Sequence, residues 1–218
     1  MTPQHRYDTI SPVTSFGASM PVWVDEEVAA LGHGPVGDGQ EARTVLMRLL
    51  NRLADRNMRE GGGGPFAALV RDPASGEIVT AGVNRVLASG LSSMHAEVTT
   101  LSLAQARRGT WDLGAAGAAP LELWVNARPC VMCYGATMWS GVKRLVIAVD
   151  GPEVEQLTGF DEGPMPEDWI GRFAERGIEV ETGVLREEAV QVLADYRDLV
   201  AGGGATLYNA RGTGVHAS

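Results

Sequence analysis

The stretch that decides the fold lies between residues 121 and 149 and reads LELWVNARPCVMCYGATMWSGVKRLVIAV. Two apolar runs typical of buried strands, Leu121–Val125 and Arg144–Val149, flank a short helical pattern at Val131–Trp139. A strand, a helix and a second strand in this order favour a crossover unit with parallel strands.

The segments on either side continue this alternation. A helix with one apolar face begins at Glu41 and ends at the run Gly61-Gly62-Gly63-Gly64-Pro65, which no helix tolerates. The order of elements predicts an α/β domain of three layers with a partly parallel sheet. Its other expected elements are a hairpin (Phe66–Val70 and Ile78–Val83), a helix (Met94–Arg107), a strand (Ile178–Glu181) and a helix (Glu187–Leu199).

Proline and glycine divide the chain into three parts. Residues 1–40 are rich in both and predict an irregular N-terminal extension, with a short helix around Val24–Leu31. Residues 41–201 form the main domain, and residues 202–218 form a C-terminal tail that starts with three glycines.

Composition limits the classes of protein to which the chain can belong. It has 218 residues, of which 44% are hydrophobic, and no run approaches the roughly 20 apolar residues of a membrane span. The first residues lack the pattern of a secretory signal, and two cysteines are too few for a disulfide framework, so a cytoplasmic location is expected. The net charge of −9 argues against nucleic acid as a partner.

Two short motifs carry the chemistry, His95-Ala96-Glu97 and Pro129-Cys130-Val131-Met132-Cys133. Taken singly, each has an ordinary explanation: a histidine near a helix start is often a cap, and Cys-x-x-Cys can be a redox pair or two inert buried thiols. Together they offer one imidazole and two thiolates, and zinc prefers these ligands.

The number of ligands favours a catalytic zinc ion over a structural one. His95, Cys130 and Cys133 supply three, which leaves the fourth position of a single zinc ion for a water molecule. A helix start at the cysteines favours the thiolate form, and Glu97 is close enough in sequence to handle protons without binding the metal. The pattern His-x-Glu with Pro-Cys-x-x-Cys is the known signature of zinc nucleobase deaminases.

The stretch from Gly63 to Asp161 resembles the cytidine-deaminase-like superfamily, in the branch that holds guanine deaminases and tRNA adenosine deaminases. This resemblance implies an α/β/α sandwich with a mixed five-stranded sheet, zinc between two helix starts, and a homodimer. Matches on the first strand, after the second strand and after the cysteine helix are closest to guanine deaminase.

The resemblance also implies roles for individual residues. Asn84 would bind the purine, Phe66 would wall its pocket, and Asp161 would assist proton transfer around the leaving amine. The backbone amide of Ala96 would contact the substrate, and Trp139 is a further match. In guanine deaminases the C-terminal segment closes over an active site, which implicates Tyr208.

Two positions depart from the branch pattern. Arg128 stands where glutamate is common, and Asn126 replaces a small hydroxyl residue. An arginine here can hold an anionic group of an unusual substrate or pair with an acid of a partner subunit.

The expected reaction is hydrolytic deamination of an amino-substituted heterocycle, most simply guanine to xanthine and ammonia. Zinc would acidify its bound water, and Glu97 would carry the water's proton to the ring and to the leaving amine. A deaminase of a pyrimidine or specialised metabolite, a tRNA adenosine deaminase and a non-catalytic zinc-stabilised binding protein are the alternatives.

Overall fold

A mixed sheet of five strands forms the middle layer of the computed structural model, which describes residues 15–209. The strand order is β2-β1-β3-β4-β5, with β1 antiparallel to β2 and β3, and with β3, β4 and β5 parallel. The strands are β1 Ala67–Arg71, β2 Ile78–Val83, β3 Glu122–Ala127, β4 Arg144–Val149 and β5 Glu179–Glu181.

Helices cover both faces of this sheet, which confirms the predicted three-layer architecture. One apolar core joins the sheet to α1, α2, α6 and α8, and a second core on the opposite face joins it to α4, α5 and α7. The helices are α1 Val22–Leu31, α2 Gln40–Arg59, α3 Val86–Ser89, α4 Ala96–Arg108, α5 Val131–Ser140, α6 Gly151–Thr158, α7 Trp169–Ala174 and α8 Arg186–Ala201. None of the described helices is long and apolar enough to span a bilayer.

Every strand and helix predicted from the sequence is present, with ends displaced by a few residues. Three short helices, α3, α6 and α7, were not predicted because each is too short to show an apolar period. Their start signals are nevertheless present in two cases. The carboxylate of Asp150 accepts from Gly151 N–H at the start of α6, and that of Asp168 accepts from Gly171 N–H at the start of α7.

The described part of the N-terminal segment packs on the domain. The helix expected around Val24–Leu31 is present as α1, and its residues Trp23 and Val24 are buried in the first core. The fully buried guanidinium of Arg71 donates to the carbonyl groups of Pro35 and Gly37, at 2.6 and 2.9 Å. Apart from α1, residues 15–39 contain neither helix nor strand, and the three-part division of the chain stays a prediction.

The start of the C-terminal tail folds back on the domain. Leu207 is buried in a small cluster with Met58, Phe160 and Tyr196, and the Tyr196 hydroxyl donates to the carbonyl of Thr206 at 2.8 Å. The described tail residues therefore lie against the same chain. Residues 210–218 lie outside the described part.

The two hydrogen bonds of the Asn126 side chain account for its presence where the branch pattern has a small hydroxyl residue. Its amide joins β3 to the chain just before β1, since Oδ1 accepts from Ala67 N–H and Nδ2 donates to the carbonyl of Pro65, both at 2.9 Å. A single hydroxyl group would not offer separate donor and acceptor atoms to these two buried backbone groups.

Replacing Asn126 by alanine should lower the free energy of unfolding by about 2–5 kcal/mol, because two buried backbone groups would lose their partners. Urea denaturation of the zinc-loaded protein measures this. The matched control is Asn51→Ala in α2, since Asn51 is also buried but neither of its amide atoms has a partner in the described structure. Equal losses in the two variants would contradict the assigned role of Asn126.

Candidate active site

Three potential metal ligands meet where two helices begin side by side. His95 is the N-cap residue of α4, Cys130 is the N-cap residue of α5, and Cys133 lies in the first turn of α5. Their ligand atoms all lie within 4.8 Å of one another, and His95 Nδ1 is 3.5 Å from Cys130 Sγ. Zinc binds imidazole nitrogen at about 2.0 Å and thiolate sulfur at about 2.3 Å, so one ion fits among these atoms.

The pKa values of the two cysteine thiols are shifted as expected for a site that binds a cation. A hydrogen bond from Cys133 and the neighbouring His95 hold the pKa of Cys130 at about 4, against the opposing effect of burial. Burial, together with the hydrogen bond to Cys130, raises the pKa of Cys133 well above its ordinary value. Two thiolates this close need a positive charge between them, and a divalent metal ion supplies it.

Glu97 lies beside the three ligands in the first turn of α4 and is only 5% exposed. Burial and the negative charge of Cys130 raise the pKa of its carboxyl group to about 7. A carboxyl group with this pKa can accept a proton and release it again near neutral pH, as a proton-transfer residue must.

A cavity of about 370 Å³ opens at this point and is large enough for a small heterocycle. His95, Glu97 and Cys130 line one part of it, and Phe66, Phe160 and Tyr208 line another. The sequence-predicted residues Phe66, Arg128, Asp161 and Tyr208 therefore share one cavity with the metal-binding group.

Three aromatic rings surround Phe160 and build the apolar wall. The ring of Phe160 lies 5.5 Å from Phe66, 5.4 Å from Tyr196 and 5.0 Å from Tyr208, and it is parallel to Tyr196. Phe66 precedes β1, Tyr196 lies in α8 and Tyr208 lies in the tail, so three distant segments meet at one ring.

A second buried carboxyl group lines the cavity and belongs to Glu162, which the sequence analysis did not select. Glu162 is 6% exposed and lines the cavity, and its carbonyl accepts from Val131 N–H at 3.0 Å next to the zinc-ligand loop. Burial and the charges of Cys130 and Glu97 raise the pKa of its carboxyl group to about 8.

Asp161 lies at the exposed rim of the same cavity, where its carboxylate accepts from Gly163 N–H at 3.0 Å. Phe160 and Glu162 are buried and Asp161 between them is exposed. In an extended segment, residues i and i+2 share a face, so the buried aromatic at 160 was a signal for the acid at 162.

The glycine run before β1 forms a closely packed side of the site. A Cβ atom at Gly63 would overlap the side-chain oxygen of Asn84, and one at Gly64 would come within 2.8 Å of the Tyr208 hydroxyl. Behind the run, fully buried Asn57 donates to the carbonyl groups of Gly64 and Asn84, at 3.2 and 2.8 Å. The glycines therefore allow Asn84 and Tyr208 to approach the backbone.

Arg128 is 9% exposed and lies between the zinc-ligand loop and α6. Its Nη1 is 3.7 Å from the carboxylate of Asp150, and a Cβ atom at Gly151 would overlap its guanidinium group. Its Nε is buried without a partner among the described residues. Within this chain, Arg128 thus has an acid beside it and contributes positive charge near Glu162.

Two other predicted residues do not line the cavity of their own chain. Trp139 is 79% exposed near the end of α5, and Ala96 has its side chain buried in the second core. Asn84 lies behind the cavity wall at 1% exposure. The predicted contacts of these three residues with substrate stay predictions.

Comparisons with known proteins agree with this geometry. Residues 40–149 match the family model of the cytidine and deoxycytidylate deaminase zinc-binding region. Guanine deaminase from Bacillus subtilis is 34% identical over 120 residues, which cover 55% of this chain and 70% of that protein.

Solved structures extend the likeness to most of the chain. The guanine deaminase from Nitrosomonas europaea is 42% identical, with a TM-score of 0.74, covering 84% of this chain and 97% of that one. A structure of the protein NE0047 in complex with 2,6-diaminopurine has the same identity and a TM-score of 0.75, covering 90% and 98%. Because residues 40–149 match the family model and contain the zinc-ligand triad with the buried Glu97 beside it, the chain belongs to the cytidine and deoxycytidylate deaminase family of zinc-dependent deaminases.

Proposed function

We propose that the protein is a guanine deaminase, which converts guanine and water into xanthine and ammonia. The observation that carries the proposal is the convergence of His95, Cys130, Cys133 and Glu97 on one cavity of purine size. The guanine deaminases among its relatives, which are up to 42% identical to it over the aligned residues, support guanine as the substrate.

One zinc ion per chain would bind His95 Nδ1 and the Sγ atoms of Cys130 and Cys133. When bound, zinc supplies acidification of a water molecule, which makes attack on the ring carbon feasible at neutral pH. The dipole at the start of α5 favours the thiolate form of Cys130, whose pKa is about 4, and the charge of the bound cation would favour the thiolate form of Cys133.

Glu97 is the residue we assign to proton transfer at the attacked carbon. It takes the proton of the attacking water, delivers it to the adjacent ring nitrogen, and helps to protonate the departing amine. Its burial supports this role, because a carboxyl group shielded from bulk water exchanges protons with the substrate in preference to solvent.

Glu162 is assigned the second proton-transfer role, in place of Asp161. Its burial in the cavity, the anchoring of its carbonyl to Val131 and the exposure of Asp161 support the exchange. A second carboxyl group, which is protonated near neutral pH because its pKa is about 8, would hydrogen-bond the leaving amine and donate the proton with which it departs as ammonia. Arg128 helps to balance the charge that this adds to the cavity.

The aromatic rings of Phe66 and Phe160 would stack on or wall the flat purine ring and exclude water from it. Asn84 would hydrogen-bond the ring edge, and the Ala96 amide at the start of α4 would contact a substrate oxygen. The position of Phe66 and Phe160 on the cavity wall supports their roles, and the resemblance stated above supports those of Asn84 and Ala96.

We also propose that two copies associate as a homodimer in the cytoplasm. Trp111 and Trp139 are 80% and 79% exposed, and both lie next to the contact that joins Leu113 N–H to the Ser140 carbonyl. Exposed apolar side chains of this size are typical of protein interfaces.

The proposed cytoplasmic location is supported by the two cysteines. Zinc ligation requires both as thiolates, and a reducing compartment keeps them from forming a disulfide.

Protein purified without added metal should contain one zinc ion per chain by elemental analysis. His95→Asn should lose most of this zinc, whereas His33→Asn should keep it, because His33 is exposed and distant from the other ligands in sequence. Chelation should abolish ammonia release and added zinc should restore it. Full zinc content in His95→Asn would contradict the ligand assignment.

Glu97→Gln and Glu162→Gln should each lower kcat by roughly 10²–10⁴-fold, the range expected for loss of a proton-transfer group. Zinc content should remain at the wild-type level, since neither residue is a metal ligand. The matched control is Asp161→Asn, which alters the neighbouring exposed acid and should lower kcat far less. A larger loss in Asp161→Asn than in Glu162→Gln would return the role to Asp161.

The substrate is tested by ammonia release from guanine, adenine, cytosine, their nucleosides, triazines and a tRNA substrate. Guanine should give the highest kcat/KM, and adenine should be poor because the pocket's fixed polar groups do not match its edge. Turnover of cytosine or of an adenosine in RNA, with none of guanine, would replace guanine by that substrate. The zinc-dependent chemistry would remain.

A further inference from the structure

Asn57 is a fully buried polar residue in the last turn of α2, and the reaction described above does not use it. Its Nδ2 donates to the carbonyl of Asn84 at 2.8 Å and to the carbonyl of Gly64 at 3.2 Å. Its main-chain carbonyl accepts from Gly62 N–H at 3.0 Å. One residue of α2 therefore binds both the glycine run before β1 and the end of β2.

The side-chain amide of Asn57 matches these two carbonyl groups chemically. An NH2 group has two hydrogens, one for each carbonyl, whereas a serine hydroxyl would offer one and an ionised aspartate none. The two acceptors fix the orientation of the amide, so Oδ1 lies beside Gly62, where a Cβ atom would come within 2.2 Å of it. This Oδ1 has no partner among the described residues, so the side chain contributes through Nδ2 alone.

The two carbonyl groups belong to segments that shape the cavity. The Gly64 carbonyl also accepts from Phe66 N–H at 2.9 Å, and the Phe66 carbonyl accepts from Asn84 N–H at 3.0 Å. Phe66 and Val86 each follow one of the bonded residues by two positions, and both line the cavity. A shift of either carbonyl would therefore move a part of the cavity wall.

The potential metal ligands are held by a different part of the fold. His95, Cys130 and Cys133 lie at the starts of α4 and α5, and these helices belong to the second core. The apolar side chains of α2 belong to the first core, on the other face of the sheet. Loss of the bonds from Asn57 should therefore disturb the cavity wall and leave the metal-binding group in place.

We infer that Asn57 is a positioning residue, which sets substrate affinity by holding the loop before β1 and the end of β2 against α2. The inference rests on the proposed function in taking this cavity to be the substrate site. Asn57 does not line the cavity, so it acts through Phe66 and Val86. The spacing of such walls decides affinity, because dispersion contacts with a flat ring weaken steeply once a gap opens.

Asn57→Ala removes both side-chain bonds and is tested as zinc-loaded protein, below the temperature at which it begins to unfold. KM for guanine should rise about 10–100-fold, the range expected when a binding surface is misplaced by roughly 1 Å. Because the reacting groups stay in place, kcat should change less than about threefold. Calorimetry with hypoxanthine, which lacks the amino group at C2, should show the same rise in Kd, and the zinc content should equal that of wild type.

Asn51→Ala is the matched control, since it truncates a buried asparagine of the same helix whose amide has no partner in the described structure. Its KM and Kd should equal those of wild type. Asn57→Ser keeps one donor and should give intermediate values, and it takes the place of Asn57→Ala if that variant does not fold. Equal KM values for the variants at positions 57 and 51 would overturn the inference, and so would loss of zinc or a fall in kcat alone.

Failure of the proposed function gives a different result, namely wild-type protein that releases no ammonia from guanine. KM is then measured for the substrate of the panel that wild type does convert, with the same expectation for each variant. Hydrogen exchange followed by mass spectrometry needs no substrate. Residues 60–66 and 84–88 should exchange faster in Asn57→Ala than in Asn51→Ala, with no change at residues 130–134, and unchanged exchange in both segments would overturn the inference.

Discussion

The site depends on one topological constraint, that the carboxyl ends of β2, β3 and β4 lie at the same edge of the sheet. β2 and β3 both run antiparallel to β1 and therefore parallel to each other, and β4 continues in that direction. The helices that follow β2 and β3 begin at this edge on the same face, which brings His95 next to Cys130. Ligands of open α/β sheets bind at this edge for the same reason.

Close backbone packing then fixes the positions of the side chains at the ends of the strands. The loop before β1 can lie against the end of β2 because Gly63 and Gly64 have no side chains in the way, and Asn57 ties the two segments together from α2. Glycines in a free linker would leave the backbone flexible, and the entropy lost on ordering would oppose a fixed pocket wall. In this protein the missing side chains allow close backbone contact, and that contact holds the loop in one conformation.

The parts of the site that lie close together in the sequence were predictable from their spacing. The parts that come together only in the folded chain were not. The zinc ligands and Glu97 are recognisable because each motif occupies one helix start. Glu162 belongs to neither motif, and its burial depends on the start of α5 lying against the segment after α6, so its only signal in the sequence is Phe160 two residues earlier. The hydrogen bond from Val86 N–H to Oδ1 of Asn84 also requires coordinates, since neither residue belongs to a motif.

Arg128 illustrates how a departure from a family pattern fits its surroundings. The site contains two thiols and two carboxyl groups, Glu97 and Glu162, and all four residues are buried. A glutamate at position 128 would add a further negative charge beside Asp150 and Glu162. Arginine instead makes the cavity less negative, and its positive charge offsets part of the rise in the pKa of Glu162. Its guanidinium group fits only because Gly151 lacks a Cβ atom, so the arginine at 128 and the glycine at 151 belong together. Asp150 of the same chain lies 3.7 Å from this guanidinium group, so Arg128 has an acidic neighbour within its own chain.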